Sequence, residues 1–429
     1  MCNAEKAEEG KDKERIRIAQ VSCGTVYGNV QHEIEKAARE VGAEIFLPEV
    51  DLEYVREKAY EFGYEMKNSI GLNVALARGY AVAESITDAD TDTDAEIDAV
   101  FVAGCYRCPR GAIIRTEIRK IIQARTTLPI VMYPFSERTK AGELLTRMEA
   151  LVTIVKRRWI LERQVQEGLT AGIDSGSTTT KAVIMQDNEV LGATWSPTRE
   201  VVKTADKVFS DVLEIASVKK NEIEALGITG YGRHALGERF KADLVQEELT
   251  VNSKAAMYLA GIKKGEAMII DIGGMDNKII TANDGIPDNF TMGGICAGAS
   301  GRFLEMTARR LGVDVIEMGK LALEGDPQKI ATDSYCIVFG IQDLVAALSS
   351  GARKTDIAAA ACHSVVEQVK EQLLQEIDLR QPAIEVGGTA LIAGVPVAMS
   401  DELGFNVIVP PYPQYIGAVG GALLSSSFR

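Results

Sequence analysis

The sequence predicts an α/β protein in two parts, a parallel-sheet domain followed by a larger domain with two similar halves. In the first part, strand-length apolar segments alternate with helical segments, which is typical of a parallel sheet covered by helices. In the second part, residues 172–181 and 269–278 are closely similar, and matched positions lie 97 residues apart. We place the parts at residues 15–165 and 166–429, with halves of about 166–265 and 266–429.

Composition and net charge indicate which classes of protein the chain can belong to. A chain of 429 residues that is 46% hydrophobic and 25% charged is typical of a globular protein with more than one core. A formal charge of −14 argues against nucleic-acid or anionic-membrane partners. Residues 1–14 are charged and predicted to be a disordered leader, and no apolar run is long enough to span a membrane. We therefore expect a cytoplasmic protein whose seven cysteines are buried thiols or metal ligands.

The first part is predicted from apolar periodicity. Strands are expected at 16–21, 43–46, 100–102 and 129–133, and helices at 30–41, 113–124 and 141–158, with one long helical stretch before the third strand. The aspartate-rich run 88–94 lacks the glycine and glutamate that an EF-hand requires, so we interpret it as a solvated loop.

Cysteines follow two of these strands. Cys105 and Cys108 form a C-x-x-C motif that could bind a cluster or exchange disulfides, and the alternative is a plain turn holding two thiols. Cys23 also follows a strand, so we expect it to converge with them at the carboxyl edge of the sheet. Cys2 and Cys362 suggest no function.

The second part is predicted to open each half with a three-stranded meander. Strands are expected at 170–174, 182–186, 190–194, 223–229, 267–271 and 278–281, turns at 187–188 and 284–285, and helices at 204–216, 302–311, 343–348 and 356–377.

The two similar segments predict a phosphate site. GIDSGSTTTK (172–181) and IIDIGGMDNK (269–278) are each an apolar run ending in aspartate, a turn of small residues, and a second apolar run. Backbone N–H groups in such a turn can approach an anion closely, and two turns could hold one polyphosphate from both sides. Asp174 and Asp271 could then hold its Mg²⁺. Either segment alone is also compatible with an ordinary polar turn.

Three glycine-rich segments complete a recognisable order. TGYGR (229–233) ends a strand, VGGTA (386–390) follows another, and PQYIGAVGGA (413–422) is typical of a small-residue helix packed closely on a neighbour. With the two hairpins, this order resembles the acetate and sugar kinase/Hsp70/actin superfamily, which implies a duplicated ribonuclease-H-like, actin-like ATPase domain closing on ATP.

The resemblance implies roles for individual residues. Asp174 and Asp271 would organise Mg²⁺ for ATP hydrolysis, and Gly387 and Gly388 would line the adenosine. Contacts to the phosphates of ATP or ADP are implied for Gly176, Ser177, Thr178, Thr179, Lys181, Gly230, Gly273 and Gly274. Lys278 could add a further contact, although Lys181 and Lys278 each start a strand, which is also compatible with a solvated side chain.

Two cysteines of the second part precede helical sequence. Cys296 is followed by four small residues and a helix, and Cys336 comes 40 residues later. A helix N-terminus stabilises a thiolate and an anionic cluster. Two cysteines per chain complete a four-thiolate site only in a symmetric dimer. From spacing alone, two buried structural thiols are the better interpretation.

A closer resemblance changes that interpretation. Residues 229–233, 271–278, 296–305 and 336–339 resemble the activator ATPases of 2-hydroxyacyl-CoA dehydratases and benzoyl-CoA reductases, over roughly residues 169–429. The resemblance implies a homodimer whose shared 4Fe–4S cluster is bound by Cys296 and Cys336 of each chain. It also implies ATP-driven transfer of a low-potential electron, from a donor such as ferredoxin, to a partner metalloenzyme. Departures from the family pattern at Asn252, Gly298 and Ile341 spare the cluster ligands but affect partner contacts and ATP coupling.

The first part resembles the carboxyl-terminal part of a dehydratase subunit, on residues 98–110 and the helix–strand–helix that follows. An activator fused to such a module resembles the methanogenesis marker protein 15 family, which implies a role in methanogenesis. Two alternatives stay open. One is a small-molecule kinase of the same fold, although no acid near residues 229–233 is placed to accept a hydroxyl proton. The other is an ATP-switched scaffold without a redox role.

Overall fold

The computed structural model describes residues 15–26, 30–63, 69–85, 97–105, 108–126, 128–135, 141–292, 300–332, 336–377 and 379–429. The predicted disordered leader and the aspartate-rich run 88–94 lie outside these residues. The chain divides into two compact units, residues 1–159 and 160–429, which are described separately. In the described part of the chain, no helix has the length and apolar character needed to cross a membrane.

The first unit is built on a parallel four-stranded sheet in the order β2-β1-β3-β4, which confirms the predicted parallel sheet. The strands are β1 (Ile16–Cys23), β2 (Ala43–Phe46), β3 (Ala99–Cys105) and β4 (Ile130–Phe135). The helices are α1 (Gln31–Glu40), α2 (Leu52–Glu61), α3 (Ile70–Glu84), α4 (Pro109–Arg125) and α5 (Ala141–Leu161). The single helical stretch expected before β3 is therefore two helices, α2 and α3.

Both faces of this sheet are buried. Alternate residues of β1 and β3 pack with α1 and α5 on one face, and with α3 and α4 on the other. A strand that is buried on both sides is apolar along most of its length, as β3 is. In β1 the buried polar side chains Gln20 and Ser22 bond to each other, since Gln20 Nε2 donates to Ser22 Oγ at 2.8 Å. Near its end, α5 leaves the helical conformation at Arg157, where φ is −124° and ψ is 21°.

The second unit contains two five-stranded sheets with the same topology, which confirms the predicted duplication. Their strand orders are β7-β6-β5-β8-β9 and β12-β11-β10-β13-β14. In each, the first three strands form an antiparallel meander and the last two join in parallel. The first sheet comprises β5 (Leu169–Ser175), β6 (Thr179–Gln186), β7 (Glu189–Pro197), β8 (Ala225–Gly230) and β9 (Leu244–Val245). The second comprises β10 (Glu266–Ile272), β11 (Asn277–Asn283), β12 (Ile286–Met292), β13 (Ala383–Val386) and β14 (Val407–Ile408).

The helices of this unit flank the two sheets. They are α6 (Val201–Ala216), α7 (Arg233–Phe240), α8 (Glu248–Leu259), α9 (Gly301–Leu311), α10 (Val315–Ala322), α11 (Ile337–Ser349), α12 (Lys354–Glu376), α13 (Gly394–Leu403) and α14 (Ile416–Ser425). The predicted hairpin turns are present at 187–188 and 284–285, where all four residues have positive φ. Two consecutive positive φ angles produce the hairpin turn whose twist matches the strands.

Helix α14 lies directly on the first sheet, backbone against backbone. A Cβ added to Gly172 would lie 1.8 Å from the carbonyl oxygen of Ala418, and one added to Gly227 would lie 2.2 Å from that of Gly421. A Cβ on Gly420 would lie 2.6 Å from the carbonyl oxygen of Val251 on α8. Only glycine permits such an approach, so the expected close packing of the small-residue helix is present.

The core of the second half contains a buried carboxyl group. Glu385 on β13 lies opposite Ile270 in the register and is fully buried. Among the residues described, neither of its side-chain oxygens has a hydrogen-bond partner. Burial raises the pKa of Glu385 to about 8, so the group is neutral at physiological pH.

This buried acid predicts a pH dependence of stability. Glu385 ionises in the unfolded chain near pH 4.3 but stays protonated in the folded chain up to about pH 8. Its contribution therefore lowers the free energy of unfolding as pH rises through this window. Between pH 5 and pH 8.5 the parent should lose up to about 5 kcal/mol of stability in urea unfolding from this group, and Glu385→Gln should not show that loss.

The control for this experiment is Glu402→Gln. Glu402 accepts hydrogen bonds from Lys370 and pairs with His363, and its pKa is lowered, chiefly by the Lys370 ammonium. Its loss should reduce stability at neutral pH, the opposite sign to Glu385→Gln. Parallel pH profiles of the parent and Glu385→Gln would contradict the prediction.

Candidate functional site

Asp174 and Asp271 occupy the same place in the two sheets. Asp174 is the penultimate residue of β5, and Asp271 is the penultimate residue of β10. Each is paired across its hairpin with a lysine, Asp174 with Lys181 and Asp271 with Lys278. The two similar segments of the sequence therefore occupy equivalent positions in the two sheets.

The turns that follow the aspartates are built alike. The Gly176 N–H donates to the Thr179 carbonyl at 3.1 Å, and the Gly273 N–H donates to the Asp276 carbonyl at 2.8 Å. Ser177, at the tip of the first turn, is exposed. Both turns are therefore closed by the same hydrogen bond.

The two turns meet. A Cβ on Gly274 would lie 3.0 Å from Cγ2 and 3.2 Å from Oγ1 of Thr178. Thr178 Oγ1 is buried and has no hydrogen-bond partner in the described part of the chain. The predicted phosphate contacts of the two halves are thus brought to one place.

A glycine of unusual conformation lies beside each aspartate. Gly230, at the end of β8, has a φ of 92°, and Gly387, just after β13, has a φ of 91°. A Cβ on Gly230 would lie 2.7 Å from Asp174 Oδ1, and one on Gly387 would lie 2.9 Å from Asp271 Oδ1. Both glycines therefore pack against the aspartate carboxylates, and the residues that contact each aspartate are called its seat. The sequence assigned Gly230 to the phosphates and Gly387 to the adenosine, so it did not anticipate this symmetry.

The seat of Asp174 includes a direct ion pair. Lys181 Nζ lies 3.1 Å from Asp174 Oδ2. Burial by itself would lower the pKa of Lys181, but the nearby carboxylates, Asp174 foremost, hold that pKa above its ordinary value. Lys181 is therefore a charged group at the site and not a solvated strand residue. Gly417 of α14 packs beneath the carboxylate, since a Cβ there would lie 2.8 Å from Asp174 Cγ.

The seat of Asp271 is different. Asn252 Nδ2 donates to Asp271 Oδ2 at 2.9 Å. Lys278 Nζ is instead held by Glu248 at 3.0 Å and Asp276 at 2.9 Å. Burial raises the pKa of Asp271, and Lys278 only partly offsets that rise. The first aspartate is thus neutralised by a lysine, and the second is held by an amide.

The site contains buried polar atoms that lack partners. Besides Thr178, the side-chain oxygens Ser175 Oγ, Thr229 Oγ1 and Asn252 Oδ1 are buried with no hydrogen-bond partner among the described residues. Buried polar atoms without partners are costly and mark places where a polar ligand or ion binds. Two carboxylates beside two phosphate-type turns fit a nucleotide with Mg²⁺, which prefers carboxylate and phosphate oxygens.

Three contributors were missed from the sequence. Asn252 was noted only as a departure from a family pattern, Gly417 only as part of a packing helix, and Glu248 not at all. Asn252 and Glu248 belong to α8, after the first sheet, yet contact the second half. No local spacing could indicate this exchange, because the partners come from opposite halves.

An acid near the 229–233 crossover was also missed. Glu247 is buried, and burial raises its pKa to about 7. Its carboxyl group accepts hydrogen bonds from the Thr250 N–H and hydroxyl and from Gln246 Nε2. Glu247 is the N-cap of α8, and the expectation that no acid near 229–233 is placed to accept a hydroxyl proton stays a prediction.

The remaining predicted residues are the cysteines, two of the departures from the family pattern, and Gly388. Cys336 is the N-cap residue of α11. Cys296 and Gly298 fall in 293–299, outside the described residues, and Ile341 is buried in the core of the second half. In the first unit, Cys105, Cys108 and Cys23 line one cavity, as expected for Cys23. Gly388 begins a one-turn 3₁₀ helix after Gly387.

Comparison with known proteins finds matches to the part of the chain that carries this site. The profile of the BadF/BadG/BcrA/BcrD ATPase family matches residues 171–425. An uncharacterised protein of Methanocaldococcus jannaschii is 56% identical over 414 residues, which cover 96% of this chain and 98% of that protein. The (R)-2-hydroxyglutaryl-CoA dehydratase activating ATPase of Acidaminococcus fermentans is 33% identical over 59% of this chain and 95% of its own length.

Solved structures agree with these matches. The crystal structure of component A of the Acidaminococcus fermentans dehydratase has a TM-score of 0.56 and 31% identity, covering 61% of this chain and 99% of that chain. The activator of 2-hydroxyisocaproyl-CoA dehydratase from Clostridium difficile, solved with bound ADPNP, has a TM-score of 0.56 and 29% identity, covering 61% and 95%. The expected resemblance to activator ATPases is confirmed, and the family match lies within the second unit.

Adjacent glycines provide a test of the carboxylate seat. In Gly387→Ala, the new Cβ would meet the Ile272 carbonyl oxygen at 2.3 Å and would sit on a backbone with positive φ. We expect a loss of roughly 3 kcal/mol in urea unfolding. In Gly388→Ala the Cβ meets nothing within 4 Å, so stability should change by less than about 0.5 kcal/mol. Equal unfolding midpoints for the two variants would show that Gly387 is not constrained by the seat.

Proposed function

This chain belongs to the BadF/BadG/BcrA/BcrD ATPase family, and we propose that it is an ATP-dependent activator that passes a low-potential electron through an iron–sulfur cluster to a partner metalloenzyme. The observation that carries the proposal is a direct link from a phosphate turn to a helix. The Gly301 N–H donates to the Gly273 carbonyl, and the Arg302 N–H donates to the Gly274 carbonyl, both at 2.9 Å. Helix α9, which follows Cys296 in the sequence, is thus attached to the turn.

The ATPase half of the proposal rests on the paired turns and carboxylates. The turn backbones at 176–178 and 273–274 would bind the phosphates, and Asp174 and Asp271 would hold Mg²⁺, which neutralises phosphate charge when bound. Gly387 and Gly388 would line the adenosine. The activator solved with ADPNP supports a nucleotide at the corresponding place.

The redox half rests on the surroundings of Cys336. Cys336 caps α11, and the next turn exposes Val338 and Phe339 by 58% and 56%. Apolar side chains exposed beside a helix-capping thiol fit a surface that a second copy covers. Two thiolates from each chain would complete a four-thiolate 4Fe–4S site in a homodimer.

Coupling between ATP hydrolysis and the cluster would pass through α9 and α11. Phe303 and Leu304 of α9 share one core with Ile341 and Leu344 of α11. A displacement of the 273–274 turn on ATP binding or hydrolysis would therefore move both helices that follow the cluster cysteines. A ferredoxin-type donor, a metalloenzyme acceptor and a place in methanogenesis complete the proposal, and the family resemblance supports them.

The ATPase proposal predicts the effect of removing each carboxylate charge. Asp174→Asn and Asp271→Asn should each lower the rate of ATP hydrolysis by roughly 100-fold, because Mg²⁺ loses a ligand. Asp284→Asn is the control. Asp284 lies in the turn between β11 and β12, at the end of β11 away from the 273–276 turn, and asparagine accepts its positive φ. Hydrolysis at the parental rate by both site variants would overturn the assignment.

The redox proposal predicts iron shared between chains. Loss of Cys336 in Cys336→Ser should remove the shared cluster, and with it about two irons per chain and the dimer, while ATP hydrolysis persists. Iron analysis and size-exclusion chromatography after anaerobic reconstitution measure this, with Cys362→Ala as a cysteine control. An unchanged dimer and iron content would contradict the cluster. If the double variant Cys296→Ser/Cys336→Ser fully restored growth to cells that lack the protein, an ATP-switched scaffold would be indicated instead.

A further inference from the structure

Two side chains of helix α8 reach the second half from one face of the helix. Glu248 and Asn252 are four residues apart, so they share a face, with Cβ atoms about 5–6 Å apart. Glu248 Oε2 lies 3.0 Å from Lys278 Nζ, and Asn252 Nδ2 donates to Asp271 Oδ2 at 2.9 Å. This face of α8, a helix of the first half, therefore lies against the aspartate and the lysine that pair across the second hairpin.

The charge of Glu248 acts on both hairpins. Burial by itself would lower the pKa of Lys181 and of Lys278. The pKa of Lys278 is nevertheless raised, by Glu248 most of all. That of Lys181 is raised by Asp174 first, with a further contribution from Glu248. Since one lysine belongs to each hairpin, the Glu248 carboxylate lies close enough to interact with both halves of the site.

Both side chains keep acceptor capacity that these contacts do not use. Asn252 is 5% exposed, and its Oδ1 is buried with no hydrogen-bond partner among the described residues. A carboxylate offers about four acceptor positions, and the Lys278 ammonium takes only part of those of Glu248. The Glu248 side chain is 27% exposed, so a small molecule can reach it.

These two acceptors fit a water molecule. Buried polar atoms without partners are costly, and a bound water that donates to them removes that cost. Water has two hydrogens, one for the carboxylate and one for the amide oxygen, and side chains one helical turn apart are spaced for such a bridge. A water held in this way directs its oxygen lone pair away from α8.

The neighbouring acid is placed differently. Glu247 accepts hydrogen bonds from the Thr250 N–H and hydroxyl and from Gln246 Nε2. All of these partners lie within three residues of Glu247, so its carboxyl group caps its own helix. Of the two adjacent acids, Glu248 is therefore the one that faces the aspartate seats.

We propose that Glu248 and Asn252 hold the water that attacks the terminal phosphate of ATP, with Glu248 as its general base. This inference rests on the proposed ATP hydrolysis. The water oxygen forms a bond to the γ-phosphorus, and the bond from that phosphorus to the β–γ bridging oxygen breaks, leaving its electron pair on ADP. One proton of the water passes to the Glu248 carboxylate, and Asn252 Oδ1 accepts a hydrogen bond from the other hydrogen.

The first test is Glu248→Gln in the full chain. Glutamine keeps the size of the side chain but cannot take the proton, so kcat for ATP hydrolysis should fall by roughly 100-fold. The Kd for ATP should change by less than about two-fold, because the water is not a contact of the bound nucleotide. Glu248→Asp, which restores a carboxylate, should recover part of the rate. The control is Glu317→Gln on α10, which removes an exposed pair with Lys320 and should keep the parental rate.

The second test separates a water site from a support for the metal ligand. Asn252→Ala should lower kcat by roughly 10-fold even at saturating Mg²⁺, because the water loses one of its two acceptors. If saturating Mg²⁺ restored the parental kcat, Asn252 would act only through Asp271, and the water site would be overturned.

Further outcomes separate this inference from the proposed function. A parental kcat in Glu248→Gln, or a loss of ATP affinity as large as the loss of turnover, overturns the inference, because Glu248 would then only hold Lys278. Iron is measured in the same samples after anaerobic reconstitution, and Glu248→Gln should keep about two irons per chain. A parent without iron whose hydrolysis is lost in Glu248→Gln supports the inference and rejects the shared cluster. A parent that hydrolyses no ATP overturns both.

Discussion

The second unit depends on a contact that only glycine permits, the seating of helix α14 on strands β5 and β8. At Gly172 and Gly227 the helix backbone occupies the space that any side chain would fill. The contact carries α14, which follows the second sheet in the chain, onto the first sheet. Helix α8, which follows the first sheet, contacts the second half in return, through Asn252 and Glu248. Each aspartate is therefore held partly by a helix from the opposite half.

This exchange explains how one ligand could govern both halves. The two turns already touch through Thr178 and Gly274, and the second turn is hydrogen-bonded to α9. A displacement at the phosphates has a short path through packed backbone to the helices that follow Cys296 and Cys336. Packed interfaces of this kind shift between discrete arrangements rather than deform continuously, which suits a nucleotide switch.

Sequence reasoning identified the features that are local. The hairpins, their aspartates and the glycine-rich crossover are each encoded in about ten consecutive residues, so period and spacing predicted them. The ion pair between Lys181 and Asp174 was not predicted, because the sequence assigned Lys181 to the phosphates; it is explained by the register of β5 with β6. Asn252 and Gly417 could not be found this way, because their contacts join segments from opposite halves. Glu385 was also unpredictable, since an acid inside a short apolar strand gives no sign of which face it lies on.

The ion pair of Asp174 with Lys181 gives the resting protein its own internal counter-ion. A divalent metal that arrives alone must compete with an ammonium already 3.1 Å away, so it gains little from binding. Under the proposed function, a complex of metal and polyphosphate would let the metal bind the carboxylate while the lysine pairs with the phosphate, so that no charge would be left uncompensated. The ion pair would then favour binding of that complex over binding of the metal alone.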